Sequence, residues 1–289
     1  MIVDLNQGTD EWHRFRATRI GASEASIIMG TNPWKTPHQL WEQKVGYSPP
    51  TKRTSAMQRG IDLEEKARNC FFMTHNLYVK PMVFVHPEYP FLMASLDGMS
   101  EDLQTAVEIK CNGKENHELA LREMIPPYYE AQVQHQMFVC ELNYMYYYSF
   151  DGELGTCITV IRNDAFIKEM LKKELEFYEC MQELTPPPMT SKDYTKIEDA
   201  AFQEEIRQWR LVKAQLRELE KIEEHYRNKL IKKAEGKNCL GGGVRISKSI
   251  RKGSVDYKKI PQLIGVDLEK HRKEPTIYWT ITETKGENE

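Results

Sequence analysis

A mixed α/β fold, a central sheet flanked by helices, is predicted by three features of this 289-residue chain. Strand-like runs stand together at 79–85, 91–96 and 106–111. A second pair, 144–150 and 156–161, meets at an Asp151-Gly152 turn. Segments with helical periodicity lie before, between and after them. Taken in order, Thr9 or Asp10 caps a short helix through Trp12, His13 and Phe15, and Ser23 caps a second through Ala25, Ile27 and Ile28. Pro37 opens a third that stops at Gly46, and a polar loop spans 47–55. A helix over 60–76 carries Ile61, Leu63, Ala67, Cys70 and Phe71 on its apolar face, with Glu64 and Glu65 outside it. The sheet residues follow, interrupted by a helix over 128–139, and Asn163 or Asp164 starts a helix to Leu184. Trp12, Trp34 and Trp41, at helical spacings, are assigned to the core.

Pro186-Pro187-Pro188 is the clearest break in the chain and divides it. Residues 1–185 form the α/β domain, 186–194 a proline-rich linker, 195–235 a long helical arm and 236–289 a small basic β-rich element. Thr195 with Glu198 reads as a capping box for the arm. Its apolar residues fall at 202, 206, 209, 212, 216, 219, 222, 226 and 230, a three-four spacing that suggests a coiled-coil-like helix or helical hairpin. Beyond it, Arg245, Lys248, Arg251 and Lys252 alternate with apolar residues, and a further strand is expected at 276–282.

Composition excludes several classes. With 40% hydrophobic residues the chain can bury a sizeable core, and no run approaches the roughly 20 apolar residues of a membrane span. The first residues lack the basic and apolar regions of a signal peptide, so a cytoplasmic location is expected. Six cysteines occur without a Cys-x-x-Cys pair, arguing against a zinc ribbon or a cysteine-ligated cluster; reduced, mostly buried thiols are expected. The net charge of −3 hides an asymmetry. Residues 227–259 sum to +9 and the remainder to −12, and a segment that basic suits a phosphate-bearing partner.

One hairpin concentrates the candidate chemistry. Glu-x-Lys occurs at Glu42, Glu64, Glu108, Glu235 and Glu283 and is uninformative alone. At Glu108, however, Val107, Ile109 and Cys111 point one way and Glu108 and Lys110 the other, and Asp97-Gly98 lies on the preceding apolar strand. Pairing the two strands sets Asp97 beside Glu108, where like charges call for a cation; oxygen donors favour magnesium, and DNA is the natural substrate. A solvated Glu-Lys ladder on a surface hairpin explains the same spacing equally well. Glu64 or Glu65 on the preceding helix would complete the charge set, and Gln132 and Gln136, four apart on one helix face, either meet solvent or point at the site.

Five ordered blocks break the tie. They are Gln7 to Arg16 with Gly21-Ala-Ser23-Glu, Gly60-x-x-x-Glu64-x-x-Ala-Arg68, Ser95-Leu-Asp97-Gly98, Glu108-Ile-Lys110-Cys, and Tyr129-x-Ala-Gln132-Val-Gln134. Over residues 7–180 the chain resembles the YqaJ-type viral recombinase and bacteriophage lambda exonuclease family of the PD-(D/E)xK superfamily. Leu96 stands where many members have proline. The resemblance implies a restriction-endonuclease-like fold, with Asp97, Glu108 and the Ile109 carbonyl as magnesium ligands, manganese being a substitute. It implies Glu64 as the helix carboxylate that joins them or orients their water, Lys110 as the residue that positions and activates the attacking water, and Gln132 as the side chain that steadies that lysine or the water. Arg16 and Ser23, with Ser95, resemble a pocket for a terminal 5′-phosphate, whose charge suits a guanidinium.

The resulting expectation is a magnesium-dependent exonuclease that degrades the 5′-ended strand of duplex DNA and leaves 3′ tails for a single-strand annealing recombinase. A ring-like homo-oligomer goes with it, a trimer ahead of a tetramer. The alternatives are an endonuclease using the C-terminal region for DNA recognition, and a non-catalytic DNA-binding scaffold.

Overall fold

The computed structural model describes residues 1–49, 54–111 and 113–249. Two compact units are present, Met1–Lys196 and one beginning at Ile197. The first is built in the order β1 (Ile2–Val3), α1 (Asp10–Ala17), β2 (Ile20–Gly21), α2 (Ala22–Ile28), α3 (Pro37–Lys44) and α4 (Ser55–His75). Then come β3 (Val79–Val85), β4 (Leu92–Ser100), β5 (Ala106–Lys110), α5 (Lys114–Leu121), α6 (Pro127–Cys140), β6 (Tyr144–Phe150), β7 (Gly155–Ile161) and α7 (Asp164–Glu183). Seven strands form one sheet in the order β1-β3-β4-β5-β6-β7, with β2 pairing in parallel to the start of β4. The β5–β6 pair is also parallel and the remaining ladders are antiparallel.

Local chemistry sets the helix ends. The Thr9 hydroxyl accepts the Trp12 amide, and Thr36 with Gln39 makes a reciprocal capping box before Pro37. Two expected starts are corrected. The second helix is capped at Gly21, whose amide donates to Glu24 Oε2 at 2.9 Å, so Ser23 lies inside the first turn. The fourth begins at Ser55 rather than residue 60, because Thr54 accepts the Met57 amide. The short helix α5 has no counterpart among the sequence expectations: Gly113 precedes it with no side-chain cap for sequence reading to find.

Helices cover both faces of the sheet. On one, Ile27, Leu40, Trp41, Val133, Met137 and Phe177 pack with Leu92, Ala94, Leu96, Met99 and Tyr147. On the other, Ala67 and Phe71 of α4 meet Val79, Val107, Ile109, Tyr148 and Phe150. A buried ion pair locks α6 to α7. His135 Nδ1 lies 2.6 Å from Glu174 Oε1 and its Nε2 donates to the Met93 carbonyl, an arrangement in which the protonated ring donates from both nitrogens.

Three further expectations are corrected. Trp12 and Trp41 are buried, but Trp34 is 72% exposed, because it sits in the loop between α2 and α3 rather than on a helix. All six cysteines are free but only half-buried. The long helix α8 (Ala200–Lys233) starts after Asp199, whose carboxylate accepts the Phe202 amide, and not at Thr195.

In the second unit, α8 is followed by the hairpin β8 (Cys239–Gly241) and β9 (Val244–Ile246). Its two-residue turn is Gly242-Gly243, both at positive φ, as such a turn requires. The α8 apolar positions average 3.5 residues apart, and none is buried. Arg251, Lys252 and the strand expected at 276–282 lie outside the described residues. Among those described, no helix is long and apolar enough to cross a membrane.

Candidate active site

The centre of the first unit is a β-bulge. Met82 pairs with Leu96, but the next pair is Lys80 with Met99, so Asp97 and Gly98 together oppose Pro81. Proline offers no amide to the ladder, and an extra residue on the opposing strand is accommodated there. Leu96 and Met99, three apart, consequently enter the same core cluster. The three carbonyls around the bulge are taken by side chains. Gln136 Nε2 donates to Ser95 O at 3.3 Å, Gln7 Nε2 to Leu96 O at 2.9 Å, and Arg68 Nε to Asp97 O at 2.9 Å.

The β4–β5 ladder pairs Gly98 with Val107, and one further step brings Asp97 opposite Glu108. There Asp97 Oδ2 accepts the Ile109 amide at 2.8 Å, a side chain standing in for a backbone acceptor. Burial, then the Glu108 charge beside it, pushes the Asp97 carboxyl well above its ordinary range. Glu108 is buried and held by three donors: Lys110 Nζ at 2.5 Å and Gln132 Nε2 at 2.6 Å on Oε1, and Gln136 Nε2 at 2.5 Å on Oε2. A carboxylate has about four lone-pair sites, so one acceptor position remains, on Oε2. Burial opposes the Lys110 charge, but Glu108 and Asp97 together outweigh it and hold the ammonium above the ordinary lysine range.

Glu64 stands apart from this pair. Its carboxylate is bonded to Arg68 Nη2, and it reaches Asp97 only as a nearby charge that raises the aspartate further. Among the described residues no group of three His, Cys, Asp or Glu side chains forms a metal cluster. The donor set nevertheless fits a hard cation. A buried carboxylate and a partly exposed one repel each other, Asp97 Oδ1 has no hydrogen-bond donor among the described residues, and magnesium commonly takes one or two carboxylates and fills its remaining positions with water.

A second cluster gathers around Glu24. Arg16 Nη2 donates to Ser23 Oγ and to Glu24 Oε1, both at 2.9 Å, while Lys44 Nζ lies 2.7 Å from Glu24 Oε2. Burial opposes ionisation of Glu24, but Lys44 and Arg16 outweigh it and hold the carboxyl below the usual range. Lys35 faces the same group, its pKa lowered by burial and by the Arg16 and Lys44 charges. Three cations thus share one carboxylate. A side chain at Gly21 would press its Cβ to 3.1 Å from Arg16 Nε, so the close approach of the guanidinium favours glycine there. Ser95 Oγ accepts the Trp12 indole N–H at 3.0 Å and keeps its own proton to donate. Arg245 is exposed on β9, and the Lys248 amide is bonded to Asn238.

The structure thus brings Asp97, Glu108, Lys110, Ile109 and Gln132 together, joins Arg16 to Ser23, and sets Glu64 one residue away through Arg68. Sequence reasoning gives no role to Gln7, Lys35, Lys44 or Arg68 and leaves Gln136 undecided. Gln7 and Arg68 lie inside two of the ordered blocks and Gln136 beside another, whereas no signal in the sequence singles out Lys35 or Lys44.

A mixed sheet whose bulged aspartate adjoins a Glu-x-Lys strand defines a protein of the restriction-endonuclease-like fold. The model of the YqaJ-like viral recombinase domain matches residues 11–143. The Bacillus subtilis (strain 168) protein described as uncharacterized protein YqaJ is 30% identical over 292 residues, covering 92% of this chain and 91% of that protein. The chain therefore belongs to the YqaJ-like viral recombinase domain family. Among solved structures it is similar to an alkaline exonuclease, LHK-Exo, from Laribacter hongkongensis. The TM-score is 0.54 at 26% identity, over 61% of this chain and 94% of that one. Against the same enzyme in complex with dAMP the TM-score is 0.55.

Proposed function

We propose that this protein is a magnesium-dependent deoxyribonuclease that resects duplex DNA from its 5′ ends. The observation that carries this reading is Asp97 set beside the buried Glu108, with Lys110 bonded to Glu108, in a chain that shares its fold with an alkaline exonuclease. Asp97 and Glu108, with the Ile109 carbonyl, would hold the cation, and Glu64 would join them or orient the attacking water. When bound, the ion lowers the pKa of water and neutralises charge developing on the scissile phosphate. Lys110, bonded to Glu108 and held charged by Glu108 and Asp97 in the metal-free protein, acts as a donor that positions the attacking water and meets a phosphate oxygen. Gln132 and Gln136 fix Glu108 so that little reorganisation is needed.

Arg16, Ser23 and Ser95 take the terminal 5′-phosphate, the guanidinium supplying charge and the hydroxyls donors. Arg245 and Lys248, with Arg251 and Lys252, contact the DNA backbone. A ring-like homo-oligomer, a trimer first and a tetramer second, encloses the duplex, and the 3′ tails pass to a single-strand annealing recombinase. Digestion of linear duplex labelled at either end, with and without magnesium, tests the reading. Release of 5′-terminal label as mononucleotide only with magnesium is expected. Cutting of covalently closed circles at a comparable rate would overturn the exonuclease assignment.

A further inference from the structure

The exposed indole of Trp34 belongs to neither the core nor the residues already given a role. Exposure alone carries little, since single apolar side chains on a surface are ordinary. Two placements set this one apart. Its loop is fixed: Asn32 Oδ1 accepts the amides of Trp34 and Lys35, both at 3.0 Å, while Asn32 itself is bonded to the Ser26 carbonyl and hydroxyl in α2. The ring also ends a ladder of aromatic contacts that begins at the candidate active site. Lys110 Nζ lies 4.9 Å from the Tyr129 ring centroid, Tyr129 is 4.5 Å from Tyr128, and Tyr128 meets Trp34 edge to face at 5.1 Å. Tyr128 is in turn held by paired hydrogen bonds with Asn116 of α5. On the other side, Lys35 follows Trp34 directly and shares the electrostatic field of Glu24, Arg16 and Lys44.

A rigidly presented indole is thus linked through Tyr128 and Tyr129 to a lysine suited to a scissile phosphate, and is followed by Lys35, which feels the charges of a cluster suited to a terminal one. What joins two such phosphates is a nucleotide, and its base is a flat, weakly polar ring that an exposed indole is able to stack on.

We propose that Trp34 is a stacking platform for a nucleobase at the DNA end, holding the terminal nucleotides in register between the Arg16 cluster and Lys110. The proposal rests on the nuclease reading, and the test separates the two. Binding is measured by fluorescence anisotropy in an Asp97→Asn background, so that nothing is cut. The duplexes carry 5′-phosphates and a single abasic residue stepped through the last three nucleotides of either strand.

Trp34→Ala is expected to weaken binding of the intact duplex about tenfold, the size of one base–aromatic stack of about 1.4 kcal/mol. Trp34→Phe should recover most of that loss. With the abasic residue at the stacking position, the parent and Trp34→Ala should bind alike. In the cutting-competent enzyme the same substitution should raise KM and leave kcat nearly unchanged. A Trp34→Ala loss of equal size at every abasic position, or no loss at all, overturns the proposal while leaving the nuclease reading standing. A change of oligomeric state in Trp34→Ala, read by light scattering, also overturns it by making the indole a subunit contact. Failure of the Asp97→Asn protein to bind any duplex, with no cutting by the parent, removes both readings.

Discussion

Asp97 and Glu108 are two carboxylates placed where only one charge is comfortable. Because burial and Glu108 raise the Asp97 pKa, the folded metal-free protein binds that proton more tightly than the unfolded chain. Its stability therefore falls as pH rises from the ordinary aspartate value to the raised one. At pH 7.5, magnesium at about a hundred times its dissociation constant should add about 2.7 kcal/mol, a Tm increase of roughly 5–10 °C. Asp97→Asn should melt higher than the metal-free parent, lose the magnesium response and show no nuclease activity; a retained response would displace Asp97 from the metal site. Arg16→Ala should slow degradation of 5′-phosphorylated ends about tenfold or more and of 5′-hydroxyl ends little, since the lost partner is a doubly charged phosphate. Equal slowing would remove that role. Strand alternation puts Glu108 and Lys110 on one face in the sequence, but only the ordered blocks around them, and not the spacing, separate a site from a solvated ladder. Gln136 is not legible there, because a glutamine on a helix face looks the same whether it meets solvent or a carboxylate. Trp34 misleads because its spacing to Trp41 mimics a helix across what is a loop.

At the scale of elements, β4 and α6 do most of the positioning. A Cβ added to Gly98 would sit 2.5 Å from Val79 Cγ2 and 2.7 Å from Val107 Cγ1, both buried. Gly98→Ala should therefore destabilise by about 1–3 kcal/mol and, by shifting β4, reduce activity more than its stability loss explains; denaturant melts and rate measurements on the same samples check this. The orientation of α6 depends on His135 and Glu174. Burial opposes the His135 charge, but Glu174 outweighs it and raises the pKa, so the contribution is complete below the ordinary histidine value near 6.5 and fades as pH climbs through the raised one. Glu174→Gln should cost about 3–5 kcal/mol at pH 6 and remove this pH dependence from the stability curve. Strand and helix existence is readable from periodicity. The bulge is not, because it is a count of residues against a partner strand, and a single strand does not carry its partner's register.

The whole molecule divides at Lys196, beyond the three prolines that mark the break in sequence. Those prolines are not a free tether: His38 Nδ1 contacts the Pro187 carbonyl at 3.2 Å, and Thr36 is hydrogen-bonded to Asp193. Residues 1–196 should consequently fold alone, with one cooperative melt and the magnesium response of the full chain. Limited proteolysis of the intact protein near residue 197, followed by calorimetry of the product, measures both. Loss of that response on cleavage would mean that the second unit completes the site. Composition anticipates this asymmetry, since the basic excess lies wholly beyond residue 226, but charge alone does not say what the arm touches.

The bulge at Asp97 also bears on how this sheet tolerates insertion and deletion. Removing either bulged residue would restore plain alternation: Leu96 and Met99 would stay on one face, opposite Met82 and Lys80, but a single residue would then oppose Pro81 and the bulge that sets the direction of Asp97 would be gone. Transplanting the Asp97…Glu108-x-Lys110 pattern onto another antiparallel pair would accordingly fail unless the additional residue, and a partner like Pro81 that makes room for it, travelled with it. An alignment of relatives that places a one-residue gap between Leu96 and Met99 would describe a sheet with the same core face but without the bulge.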